Sequence, residues 1–335
     1  MFEPKRVIFE NAALKYKTGK EIMKYFKYKD VELLFSKSGR ITQIPGSTAS
    51  RMYFEGKSTL VVGIRKPSEF QSCKPSAHYQ LPLVSGCMGM CEYCYLNTRM
   101  GKKPYTKVYV NIDEILNRAD KYVKERQSDI TVFEGAATSD PIPVEPYTKN
   151  LEKCILHFGK SQNSYFKFVT KFTDIDNLLN LKHNGKTTIR FSINTDKIIN
   201  NFEHGTPKFK DRMNAAKKVL NTGYNMGFII APVFLYPNWE TEYKGIINEI
   251  GKNFSGSSIS FEIISHRFTK KAKENILTVY PKTMLPMEEE MRKFKYGQFG
   301  YGKYVYRDDE LKYMKEFFKE NIEKYFDNSS IKYII

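Results

Sequence analysis

Between residues 78 and 266 the chain alternates short apolar runs with longer amphipathic ones. The apolar runs cover 79–84, 130–133, 166–169, 188–193, 226–234 and 259–264. Between them, helical periodicity predicts helices near 111–126, 148–159, 174–183, 208–222 and 239–250. Six strands separated by helices read as repeated βαβ units with a parallel sheet. Right-handed crossovers let such a sheet curl into a partial or full barrel, and ligands then belong at the C-terminal ends of its strands. The expected class is α/β, a partial (β/α)6 TIM-type barrel. Residues 1–75 mix a helix near 20–29 with strand-like pieces such as 58–63 and read as an N-terminal extension. The barrel is expected over 76–266. Residues 267–335 form a smaller C-terminal segment rich in Lys and Tyr. There is no internal repeat and no low-complexity linker.

Composition adds three constraints. The chain has 335 residues, 41% hydrophobic and 27% charged, which suits a folded protein with a sizeable core. No apolar run is long enough to span a bilayer, and the N-terminus lacks the basic-then-apolar order of a secretory signal, so a cytosolic protein with no membrane partner is expected. The net charge of +17 favours a polyanionic partner, most simply nucleic acid. The bland alternative is a lysine-rich solvated surface, and the lysines are too dispersed along the chain to mark a patch.

The five cysteines are an odd set, and three fall within eight residues. A disulfide framework would not be spaced so, and a reducing compartment would not keep one. The stretch is Gly86-Cys87-Met88-Gly89-Met90-Cys91-Glu92-Tyr93-Cys94-Tyr95, with spacing Cys-x3-Cys-x2-Cys directly after the first expected strand. Three thiolates on one tight loop can reach three corners of a [4Fe–4S] cube, and Gly86 and Gly89 let the backbone turn closely around it. With no fourth cysteine nearby, one iron stays open. Zinc would want four ligands, often as two separated pairs, and His78 is a poorly spaced fourth.

This motif resembles the radical S-adenosylmethionine superfamily. That likeness implies an open iron that chelates the amino and carboxylate groups of S-adenosylmethionine, and reductive cleavage to a 5′-deoxyadenosyl radical. A narrower resemblance is carried by Lys74-Pro75-Ser76-Ala77-His78-Tyr79, Met100-Gly101-Lys102-Lys103-Pro104-Tyr105, Phe133-Glu134 with Thr138-Ser139-Asp140, Phe168-Val169-Thr170-Lys171-Phe172, Arg190-Phe191-Ser192-Ile193-Asn194 and His266-Arg267-Phe268-Thr269-Lys270. Together these segments resemble the spore photoproduct lyase family across most of the chain. The resemblance implies repair of 5-thyminyl-5,6-dihydrothymine in double-stranded DNA. The deoxyadenosyl radical takes a hydrogen from C6 of the lesion, the methylene bridge breaks, and a cysteine thiol returns a hydrogen atom. Tyr93 and Tyr95, flanking the last cluster cysteine, are implicated in regenerating the cofactor; their plain alternative is packing beside the cluster. Carried over by position, Ser139, Lys171 and Ser192 would contact S-adenosylmethionine; each sits at or just past an expected strand end, though a serine there is also a common helix cap. The family reading also brings a reductase with flavodoxin, or ferredoxin, as electron donor, a monomer as the default state, and the cytoplasm of a spore core or germinating cell.

The chain departs from the family at one important position. The hydrogen-donating cysteine should lie within residues 133–140, and Ala137 stands there. Cys154 shares a helical face with Leu151, Ile155 and Phe158 and reads as core. Cys73 lies in a polar segment just before the first strand, where it could cross the barrel mouth, and we take it as the replacement donor; the adjacent Lys74 could stabilise a thiolate, but donation needs the thiol. An incidental cysteine is the bland alternative. Residues 293–306 interleave cations, aromatics and glycines, as a hairpin that enters a duplex would, with Lys295, Gln298, Phe299 and Lys303 as substrate-binding candidates. The family tends to a basic residue before the aromatic at this tip, where Gln298 stands here; an ordinary packed hairpin is the alternative. A lesion inside a helix must be flipped out to reach a barrel-buried radical. Ala137 also leaves open an inactivated variant, or a radical enzyme acting on another substrate. A non-enzymatic iron–sulfur or zinc protein that binds nucleic acid is the remaining reading.

Overall fold

The strand Ser164–Thr170 shows how the main sheet is oriented. Ser164, Phe166, Phe168 and Thr170 are buried, while Tyr165, Lys167 and Val169 on the other face are half-buried. We describe the protein from a computed structural model, which covers all residues except 38, 97–99, 128, 297–299, 301 and 328–329. The main sheet has eight strands: β1 (Ser72–Cys73), β2 (Ala77–Gln80), β3 (Thr131–Glu134), β4 (Ser164–Thr170), β5 (Thr187–Ile193), β6 (Asn225–Val233), β7 (Ile259–Ser265) and β8 (Ile331–Ile334). Their order in the sheet is their order in the chain. All neighbours are parallel except the edge pair β1–β2. Phe166, Phe168, Ile189, Phe191, Phe228 and Phe261 are fully buried on the outer face. Helices Asn150–Phe158 and Phe209–Asn221 pack there.

The opposite face is concave. Lys167 on β4 reaches Glu262 on β7 at 3.1 Å, across two intervening strands. Arg190 on β5 is bracketed by Glu134 on β3 and by Glu262, which it meets at 2.8 Å. Such cross-lumen ion pairs are geometrically possible only if the sheet curls, so it forms a partial TIM-type barrel with a polar lumen.

Expectation and structure differ locally. The run 79–84 is split: β2 ends at Gln80, and Val84–Ser85 joins a second sheet. Pro82 stands at the break, where it lacks the N–H needed to continue a ladder. The second sheet is built mainly from the N-terminal segment, in the order Glu32–Ser36, Arg6–Glu10, Thr59–Gly63, Thr106–Tyr109, Val84–Ser85. The helix expected near 174–183 is only the short 3-10 turn Asp176–Leu178. Its apolar spacing serves a surface loop that buries Ile175 and Leu178, and the Tyr224 hydroxyl donates to the Leu178 carbonyl at 2.6 Å. An unexpected helix, Asp196–Phe202, follows β5, with the Thr195 hydroxyl capping the Ile198 N–H. The C-terminal segment contributes β8 to the barrel sheet. Among the described residues, no helix is long and apolar enough to cross a membrane.

Candidate cluster and cofactor site

The cysteine loop leaves Val84–Ser85 through Gly86, whose φ of 82° and contact with the Tyr105 carbonyl both exclude a Cβ. Four attachments hold the loop. The Gly86 N–H bonds the Thr138 carbonyl at 3.0 Å. Met90–Cys91 pairs antiparallel with Glu203–His204. The Lys57 ammonium donates to the carbonyls of Cys87 at 2.8 Å and Gly89 at 2.9 Å. The Tyr280 hydroxyl donates to the Met90 carbonyl at 3.0 Å. The Gly89 N–H also points at Cys87 Sγ, 3.3 Å away.

The three thiols are electrostatically coupled. Burial pushes Cys87 up to about 12, with Asp140 and Cys94 adding to it and Lys57 opposing. Burial also drives Cys91 far up, helped by Glu203, Cys94 and Cys87 and opposed by Lys171. Thiols bind metal as thiolates, so the positive charge of a cluster would offset the burial that disfavours ionisation of Cys87 and Cys91. A tetrahedral zinc would hold its sulfurs about 2.3 Å from one point, whereas a cubane offers each thiol a separate iron corner. The donor set thus fits an iron–sulfur cluster.

Beside the loop lies a polar group built from strand ends. Lys171, one residue past β4, donates to the Ser192 hydroxyl at 2.6 Å and pairs with Glu203 at 3.4 Å. Ser139 forms a backbone bridge with Gly86, and its buried hydroxyl has no partner among the described residues. An orphaned buried hydroxyl costs free energy unless a ligand satisfies it, so Ser139, Lys171 and Ser192 suit a molecule with an amino acid moiety. Asp140 anchors the wall. It accepts from the Thr170 hydroxyl at 2.8 Å and from the Lys171 N–H at 2.9 Å, while burial raises its carboxyl to about 6.

Tyr93 and Tyr95 diverge from either side of Cys94. The Tyr93 hydroxyl donates to buried Glu203, and its ring lies 5.9 Å from the Lys171 ammonium. Burial drives the Tyr93 hydroxyl far above its ordinary range. Burial also pushes Glu203 upward, but Lys171 and Arg212 outweigh it and hold the carboxyl low. Exposed Tyr95 instead donates to the Ala137 carbonyl at 2.6 Å. Cys73 lies on β1. Burial raises its thiol to about 12, with Glu134 adding and Arg190 and Lys167 opposing. Its environment therefore keeps the thiol protonated. Cys154 is fully buried in the core, apart from this group.

Lys293–Tyr296 and Gly302–Val305 do form a hairpin, with Lys295 opposite Lys303. The Phe294 ring lies over Gly302, where any Cβ would overlap it. A backbone pair between Phe268 and Tyr304 ties the hairpin to the barrel. Burial, then Arg267 and Lys295, lower the Lys303 ammonium. Gln298 and Phe299 lie outside the described residues.

Sequence reasoning missed Glu203, Arg212 and Lys57. None belongs to a motif; each reaches the site only through tertiary folding. Asp140 lay within the matched stretch 138–140 but carried no assigned task.

The spore photoproduct lyase family model matches residues 2–335. The chain belongs to the spore photoproduct lyase family. The family member from Clostridium acetobutylicum is 56% identical over 331 residues, covering 99% of this chain and 98% of its own. The Bacillus subtilis member is 44% identical over 336 residues, again covering 99% and 98%. Among solved structures, a double variant of spore photoproduct lyase with bound AdoMet and dinucleoside spore photoproduct superposes with a TM-score of 0.96 at 45% identity. That match covers 100% of this chain and 99% of the other. Family membership accounts for the pairing of a cysteine loop with a curled barrel.

Proposed function

We propose that this chain cleaves 5-thyminyl-5,6-dihydrothymine in DNA back to two thymines, using a [4Fe–4S] cluster and S-adenosylmethionine. The observation that carries the reading is the convergence of the Cys87–Cys94 loop with Lys171, Ser192 and the unpartnered Ser139 at the strand ends. Family relatives solved with AdoMet and dinucleoside spore photoproduct support it. When bound, the two groups supply a 5′-deoxyadenosyl radical that takes the C6 hydrogen of the lesion.

The chain's own residues do the rest. Cys87, Cys91 and Cys94 hold the cluster. Lys171 pairs with the cofactor carboxylate, and Ser139 and Ser192 bond its polar groups. Cys73 gives a hydrogen atom to the thymine radical where Ala137 cannot, and that hydrogen atom is restored to its sulfur through Tyr93 and Tyr95 from 5′-deoxyadenosine, so that the cofactor is regenerated. Lys295 and Lys303 meet phosphates, and Gln298 and Phe299 contact the lesion-bearing duplex. We also propose that the segments 1–75 and 267–335 flank the barrel segment 76–266 as extensions. The chain acts as a monomer in the cytoplasm of a germinating cell, with a flavodoxin or ferredoxin donor. The test is anaerobic reconstitution with iron and sulfide, then dithionite, S-adenosylmethionine and a lesion dinucleotide. Free thymine pairs support the lyase; no cofactor cleavage by an intact cluster sinks it.

Two further outcomes are expected. A thiol held near 12 stays protonated where an ordinary thiol, near 8.5, would ionise. The ratio of clean thymine to abortive products should therefore stay flat from about pH 7 to 9. A fall in that ratio centred near 8.5 would show an ordinary, solvent-facing thiol. Lys295→Ala with Lys303→Ala should weaken binding to lesion duplex and flatten its salt dependence. The slope of log K against log salt should drop by about 0.9 for each phosphate no longer neutralised; an unchanged slope removes Lys295 and Lys303 from the interface.

A further inference from the structure

Lys57 is 3% exposed, and no carboxylate among the described residues pairs with it. Its ammonium is instead fixed by the carbonyls of Cys87 and Gly89, at 2.8 and 2.9 Å, with the Tyr53 ring centroid 5.4 Å away. Burying a cation without a counter-charge is costly. Two other strongly buried cations near the site each have one: Arg212 has Glu203, and Arg190 has Glu134 and Glu262. The missing counter-charge is supplied when three thiolates and the cluster occupy the loop.

We propose that Lys57 sets the reduction potential of the cluster. Reduction adds one electron, and the site becomes more negative by one unit. A fixed neighbouring cation stabilises that state more than the oxidised one, and cluster potentials respond to local charge and to hydrogen bonds at sulfur. The Gly89 N–H directed at Cys87 Sγ acts in the same sense, and the Lys57 contacts with the Cys87 and Gly89 carbonyls fix the peptides on either side of the one that carries it. Lys57 touches neither S-adenosylmethionine nor lesion in this scheme; it is a positioning and tuning residue supplied by the N-terminal helix Ala49–Lys57.

The inference rests on the three cysteines holding the cluster, and one experiment separates the two. Parent protein, Lys57→Met, Lys57→Gln and Lys57→Arg are reconstituted anaerobically, assayed for iron, and titrated potentiometrically with the reduced signal read by electron paramagnetic resonance. The expected result is a more negative midpoint for Met and Gln at matched iron content, and a parent-like midpoint for Arg. A parent without any reducible cluster signal refutes the cluster reading itself. A normal parent signal with unmoved midpoints in Met and Gln overturns the role of Lys57. Failure of both neutral variants to load iron, with Arg loading normally, also overturns it in favour of an assembly role.

Discussion

Cys91→Ala should abolish repair and cofactor cleavage together. Cys91 is the most enclosed of the three thiols, and its strand Met90–Cys91 pairs with Glu203–His204. No other cysteine is placed to substitute: Cys154 is in the core and Cys73 belongs to β1. Loss of a supporting outer contact at a metal site costs about 10–100-fold; loss of a ligand should exceed that and take activity below detection. Iron content and the reduced cluster signal should fall with it, while circular dichroism stays near that of the parent, because an alanine fills most of the buried space. A variant that keeps its signal and cleaves S-adenosylmethionine would show that Cys91 is not a ligand.

The second large effect concerns the missing donor. Cys73→Ala should still cleave S-adenosylmethionine but lose clean repair by about tenfold or more, with thymine-sulfinate or dimer by-products rising. The combined variant Cys73→Ala with Ala137→Cys should recover part of the clean yield. Ala137 has a fixed backbone, since Tyr95 donates to its carbonyl. It also lines a cavity of about 260 Å³ shared with Gly135, Thr138 and Gln71, so a sulfur there has room. Chromatography of the products decides both. Unchanged clean repair in Cys73→Ala would leave the donor elsewhere.

How much of the molecule is legible in its sequence follows from what each residue depends on. The barrel strands are readable because their outer faces carry Phe166, Phe168, Phe191 and Phe228, whose burial needs only a local apolar run. The thiol loop is readable because its ligands are close in sequence. The 3-10 turn at Asp176–Leu178 is not, because a loop anchored by Ile175 and Leu178 and a helix can share apolar spacing, and Tyr224 from a later segment bonds the loop. Glu203 and Lys57 are invisible for a related reason. Their tasks are defined by contacts with Tyr93, Arg212 and the cysteine loop that no local pattern announces.

The way the cysteine loop is gripped also bears on how the protein is made. Its restraints come from Lys57, 30 residues before Cys87, from His204, 112 residues after Glu92, and from Tyr280, 190 residues after Met90. Closing such long loops carries an entropic cost that must be met before the contacts repay it, and pairings distant in sequence slow folding. On a growing chain the thiols therefore emerge after Lys57 but well before His204 and Tyr280. The loop is therefore gripped from both sides only once residues 204 and 280 have joined the fold, so a chain cut short of Tyr280 would present the three thiols on a loosely held loop.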